Sequence, residues 1–194
     1  MLNRRPTFKK WLISSVLLLV GLFLPLLFDN AEEVRRAFSP MHFPVLLCGL
    51  TCGWRCGMIL GGLLPLLRSL LFGLPSIPVA LPMIFEMASY GALAGLLYPR
   101  LAHLPQISFR LSAMLLTLLI SMLAGRLIGI LSESLLFCLI LIHGKRRSLD
   151  ALVDSYFFDT SRSVLLHLTC VPPVALLMER LGLSQLSAGE LPPR

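Results

Sequence analysis

The chain has 194 residues, of which 56% are hydrophobic and only 14% charged, with a mean hydropathy of +0.83. A soluble domain carries nearly twice that charge density, so a soluble globular protein is excluded, and apolar runs that are continuous rather than alternating exclude a transmembrane barrel. The net charge of +7 does not point to nucleic acid, because the Lys and Arg residues fall in short connections between apolar runs, where they orient a chain in the bilayer.

The reading is therefore an all-α, polytopic membrane helical bundle of about six transmembrane helices, each needing roughly 20 apolar residues to cross the hydrocarbon. Arg4, Arg5, Lys9 and Lys10 precede a first span at about 11–28, which places the N-terminus in the cytoplasm. A basic start before an apolar stretch also has the outline of a signal peptide. Residues 12–28 are long for its apolar region, however, and no small-x-small site precedes Asp29.

After the acidic-basic connection 29–39, residues 40–73 form an apolar stretch too long for one ordinary span. Trp54-Arg55, between Gly53 and Gly57, is its polar break, and this predicts a short second span over roughly 42–53 and a third over roughly 57–72. The Gly- and Pro-containing segment 73–78 predicts a turn. A fourth span of about 79–98 ends at Tyr98-Pro99, and a fifth starts near Leu111. Arg126 and the Ser132-Glu133-Ser134 patch predict its end near 131, with the remainder to about 162 lying at the interface as a partly amphipathic connection. A sixth span covers about 163–179.

With six spans and both termini inside, nine basic residues fall on the cytoplasmic side: Arg4, Arg5, Lys9, Lys10, Arg55, Arg100, Arg110, Arg180 and Arg194. Six fall outside: Arg35, Arg36, Lys145, Arg146, Arg147 and Arg162. The bias has the expected direction, although the cluster at 145–147 would sit inside in a chain of five or seven spans.

Gly49, Gly53, Gly57 and Gly61 recur at intervals of four, and Gly91/Gly95 and Gly125/Gly129 repeat the device. Small residues at this spacing let helix backbones approach closely in lipid, either as bundle packing or as a docking ridge for a partner. Cys48, Cys52 and Cys56 share the period. A metal site would need a His or carboxylate in a ligand-like place among them, and none has one, so small packing residues are the simpler reading and no metal is assigned.

Arg68, Glu86 and Arg126 are ionisable residues inside spans, where a charge costs several kcal/mol unless it is paired or faces a wet cavity. They predict either an ion pair that fixes helix register or an interior polar site for an anionic ligand. Tyr90 stands one helical turn after Glu86 and shares its face. His42 precedes the second span and His167 lies within the sixth, each an interface or packing residue if not a ligand contact.

Enzyme signatures do not complete. Gly144-Lys145 is followed by Arg146, with no Gly five residues before Gly144, so there is no phosphate-binding loop. Glu32-Glu33 resembles the start of the glutamate motif of intramembrane CAAX-type proteases, but Ala37 stands where that pattern has Arg. Neither an HExxH nor a GxSxG motif occurs.

The run from Ser39 through Pro40-Met41-His42-Phe43-Pro44-Val45 to Gly49, then Gly53, Gly57, Gly61, Pro65 to Gly73, Glu86, Tyr90-Gly91 and Gly95, resembles the substrate-binding (S) component of bacterial energy-coupling factor (ECF) transporters. Ala124-Gly125-Arg126 and Val171-Pro172-Pro173 extend the likeness over roughly 10–180. The resemblance implies six helices in the bacterial cell (inner) membrane and a vitamin or vitamin precursor bound at the outer side. It also implies partners: a transmembrane coupling protein and two ABC ATPases. The division expected is a cytoplasmic segment 1–10, a substrate-binding transmembrane domain 11–180 and a cytoplasmic tail 181–194. Arg126, Arg68, Glu86, Tyr90 and His42 are the candidate substrate contacts, with no catalytic residue and no cofactor. The family's first span presents an Ala-x-x-x-Ala face to the coupling protein, and Ser15 and Leu19 occupy the matching positions, so the second small residue is lost. Buried arginines favour a carboxylate ligand, with pantothenate first. The other class of reading is an intramembrane enzyme or a non-transporting scaffold.

Overall fold

The computed structural model describes residues 5–28, 40–103, 110–140, 153–158 and 161–184. They form six α-helices: α1 (Arg5–Phe23), α2 (His42–Cys52), α3 (Trp54–Phe72), α4 (Ile77–Ala102), α5 (Arg110–Ile140) and α6 (Ser161–Arg180). A 3-10 turn at Leu24–Phe28 prolongs α1, and a π-helical turn at Asp154–Phe158 precedes α6. No strand occurs among the described residues. Five helices are long and apolar enough to cross a membrane. The sixth, α2, has 11 residues and reaches only about 16 Å, roughly half the hydrocarbon thickness.

That short helix is the central post. Its residues from Pro44 to Cys52 are all buried, and it packs against α1, α3, α4 and α6. The surrounding helices turn Leu, Ile, Val and Phe outward, as lipid-facing surfaces do. Paired contacts set the directions. Gly57 meets Gly91 and Gly61 meets Met87, so α3 and α4 are antiparallel; Gly125 meets Tyr90 and Gly129 meets Glu86, so α4 and α5 are antiparallel as well. At Gly61 an added Cβ would strike the Met87 backbone, so here the four-residue glycine spacing serves close helix packing.

One end of the bundle gathers Lys9 and Lys10 of α1, Arg55 at the start of α3, Arg100 late in α4, Arg110 at the start of α5 and Arg180 at the end of α6. We call it the basic end. Near the other end α1 gives way to the 3-10 turn, and α2 and α6 begin.

Several boundaries differ from the sequence expectation. The break between second and third spans is the single residue Gly53, with φ 91° and ψ 172°, so α3 begins at Trp54 rather than 57. The Gly53 N–H donates to the Gly49 carbonyl at 3.1 Å, and the Gly57 N–H donates back to Gly53. The fourth helix does not stop at Pro99 but runs to Ala102, because a proline removes only one ladder bond near a helix end. The fifth does not end near 131 but runs to Ile140. Its polar patch is accommodated without breaking the helix. The Ser132 hydroxyl donates to the Gly129 carbonyl at 2.9 Å, and the Glu133 carboxylate accepts the Tyr156 hydroxyl at 3.0 Å. The first helix starts at Arg5, inside the segment expected to precede it. The connection 29–39, the basic cluster 145–147 and residues 185–194 lie outside the described residues.

Candidate functional site

Five polar side chains from four helices meet in the bundle interior. Glu86 sits nine residues from the first residue of α4 and sixteen from its last, in the half of the bundle away from the basic end. One turn on, the Tyr90 hydroxyl donates to Glu86 Oε1 at 2.6 Å. Arg126 of α5 interacts with the same hydroxyl. His42, the first residue of α2, places Nε2 4.0 Å from Glu86 Oε1 and its ring 5.2 Å from that of Tyr90. His167 of α6 completes the group, with its ring 5.9 Å from that of His42. Tyr90 and His167 are fully buried, and Arg126 and Glu86 nearly so.

The local sequence explains why these groups can meet. Glu86 and Tyr90 are four apart and project from one helical face. Gly125 and Gly129 are four apart on α5, and each removes the side chain that would otherwise hold α5 off that face. A Cβ at Gly125 would enter the Tyr90 ring, and one at Gly129 would come within 3.3 Å of Glu86 Cδ. Arg126, next to Gly125, is thereby carried to Tyr90. On α6, His167 Nδ1 faces the Ser163 carbonyl one turn earlier, which calls for the proton on Nδ1.

Chemically the cluster joins a carboxylate acceptor, a guanidinium and a phenol that interacts with both. Two imidazoles flank the group. The opposite charges balance, and Tyr90 bridges them by hydrogen bonding, which lowers the cost of carrying them at this depth. Of the predicted contacts, Glu86, Tyr90, Arg126 and His42 are brought together. Arg68 turns elsewhere. Its Nη1 donates to the Leu22 carbonyl of α1 at 3.0 Å, and its guanidinium lies 5.8 Å from the Phe72 ring centroid. Pro25, three residues after Leu22, has no N–H for that carbonyl in the 3-10 pattern that follows, and Arg68 occupies the position.

Two residues near the cluster were not singled out as contacts from sequence. The sequence leaves His167 as an interface or packing residue if not a ligand contact, although its place inside a span is a signal. Tyr156 rests on Gly129 beside Glu86, and nothing in sequence links the turn at 154–158 to α5. Cys48, Cys52 and Cys56 are buried, with Cys48 Sγ 3.5 Å from Ser14 Oγ; among the described residues no group of His, Cys, Asp or Glu has a metal-holding arrangement. Ser15 and Leu19 face away from the bundle on α1, with Leu19 54% exposed.

A cavity of about 410 Å³ lies far from this cluster, at the basic end, lined by Arg110, Leu176, Glu179 and Arg180.

Compared with known proteins, the chain matches the family model described as ECF transporter, substrate-specific component, over residues 11–175. No curated protein and no solved structure matches it.

Proposed function

The chain belongs to the family of ECF transporter substrate-specific components, and we propose that it binds a vitamin or vitamin precursor at the Glu86–Tyr90–Arg126–His42 cluster. As a member of that family it is a membrane substrate-binding subunit of a transporter rather than an enzyme. The observation that carries the site assignment is the meeting of polar side chains from three helices, with Glu86, Tyr90 and Arg126 buried, in the half of the bundle away from the basic end.

That basic end faces the cytoplasm by the positive-inside rule, so the cluster belongs to the outer half of the bacterial inner membrane, on the side from which an imported molecule arrives. Arg126 takes the ligand's anionic group, since a guanidinium stays protonated and offers a planar fork to a carboxylate. Pantothenate is the first ligand to test. A transmembrane coupling protein and two ABC ATPases supply the energy, with the α1 face carrying Ser15 and Leu19 against the coupling protein.

The test starts with mass spectrometry of small molecules retained through purification, followed by titration of the identified compound, or of pantothenate, into the protein in nanodiscs. Arg126→Gln lowers affinity about tenfold or more, as expected for a lost charge-assisted pair, while the protein stays folded by circular dichroism. A folded Arg126→Gln protein with unchanged affinity overturns the site assignment.

A further inference from the structure

We propose that the cavity at the basic end seats the phosphate headgroup of an anionic membrane lipid. It is a second binding site, separate from the substrate cluster. Arg110 is the first residue of α5 and Arg180 the last of α6, and each bounds an apolar span. Their guanidiniums therefore share one level, where hydrocarbon gives way to headgroups. Between them, Glu179 accepts from Arg110 Nη1 at 3.2 Å and from the buried Tyr98 hydroxyl at 3.1 Å. The carboxylate so anchored holds Arg110 at the cavity wall, while Arg180 is exposed at its rim.

The charge count decides the sign of the ligand. The start of α5 and the end of α6 contribute about +0.5 and −0.5 elementary charge, which offset each other. Among the described residues the lining side chains are two guanidiniums and one carboxylate, a net single positive charge around a space of about 410 Å³. Arginine forks suit phosphate oxygens, and basic pockets between helices on the cytoplasmic side are where anionic headgroups bind. The apolar lining favours a lipid over free phosphate. Leu176 lines the cavity, and Leu111 and Leu177, adjacent in sequence to Arg110 and Leu176, are 47% and 54% exposed, a surface for acyl chains.

Native mass spectrometry of the full chain, released from nanodiscs of equimolar phosphatidylglycerol and phosphatidylcholine, tests this. Phosphatidylglycerol adducts should predominate. Arg180→Gln should reduce that preference about fivefold and Arg110→Gln/Arg180→Gln further, at about fivefold per arginine. Arg55→Gln, at the same end but stacked on Trp54 with its guanidinium 5.2 Å from the ring centroid, should leave the preference unchanged. Arg180 takes no part in the Glu179 pair, so its truncation keeps the test valid if the double variant does not fold. Equal retention of the two lipids overturns the proposal. So does an equal loss on Arg55→Gln, which would reduce the effect to general surface attraction. Displacement of the lipid by millimolar inorganic phosphate would overturn the lipid assignment in favour of a soluble anion.

Discussion

Arg68 and Arg126 looked alike in sequence, each a lone cation in an apolar span, yet they have different surroundings. Arg126 is delivered to Tyr90 by the glycines of α5, whereas Arg68 reaches the Leu22 carbonyl of α1. The difference predicts separable phenotypes. Arg68→Gln should leave ligand affinity within about threefold of wild type, since its guanidinium is directed to the Leu22 carbonyl of α1, but should weaken the α1 anchor by about 1.5–3 kcal/mol, the scale of a hydrogen bond to a charged group. Amide exchange at the end of α1 should accelerate selectively. A tenfold loss of affinity without that acceleration would return Arg68 to the ligand site. Two hydroxyls on α5 make the opposite case. Thr117 and Ser121 are fully buried, and neither hydroxyl meets a partner among the described residues. Burying an unbonded hydroxyl costs on the order of 1–3 kcal/mol, so Thr117→Val, nearly the same shape without the polar atom, should raise the thermal midpoint in detergent. A lowered midpoint would mean that the hydroxyl is bonded, for instance to water. The sequence carried the residue types and the Glu86–Tyr90 spacing of the site. It did not carry the aim of a long side chain, which depends on the surface of a neighbouring helix.

At the scale of elements, the glycine ridge was legible as packing, because a period of four on an apolar helix has few other uses. The polar break at Trp54-Arg55 narrows the turn to 53–57, but nothing in the sequence decides between Gly53 and Gly57, which flank it. Gly53 is set apart by its backbone: φ 91° with ψ 172° is a region that essentially only glycine occupies. Gly53→Ala should destabilise the bundle by about 1–3 kcal/mol, seen as a lowered midpoint and as faster exchange in α2 and α3 together. A neutral Gly53→Ala would show that the α2–α3 joint tolerates another conformation. The end of α5 was misread for a related reason. Ser132-Glu133-Ser134 reads as a polar stop only if its groups must reach water. Ser132 bonds within its own helix, and Glu133 takes the Tyr156 hydroxyl from a segment 23 residues away, a long-range contact that no local pattern announces.

For the whole molecule, orientation decides whether the interior cluster can receive a ligand from outside. The described bundle carries Lys9, Lys10, Arg55, Arg100, Arg110 and Arg180 at one end, and Arg162, near the start of α6, at the other. Cytoplasmic connections retain an excess of Lys and Arg, so the proposed orientation has the basic end inside and the α3–α4 turn outside. Ser76, exposed at that turn, and Ser184, just past α6 with its hydroxyl 3.4 Å from the Thr51 carbonyl, therefore lie on opposite sides of the membrane. In a background with the five native cysteines replaced, a membrane-impermeant maleimide applied to intact cells should label Ser76→Cys and leave Ser184→Cys unlabelled until the cells are opened. The reverse pattern would put the Glu86 cluster in the inner half and remove the directional argument for uptake at that site. It would also move the Arg110–Arg180 cavity to the outer leaflet, so the lipid-retention and labelling experiments bear on each other while reading different observables. Labelling of both positions from outside would show an even number of crossings between them. In the described helices that would mean that one of α4, α5 and α6 fails to cross, although each is long and apolar enough to do so.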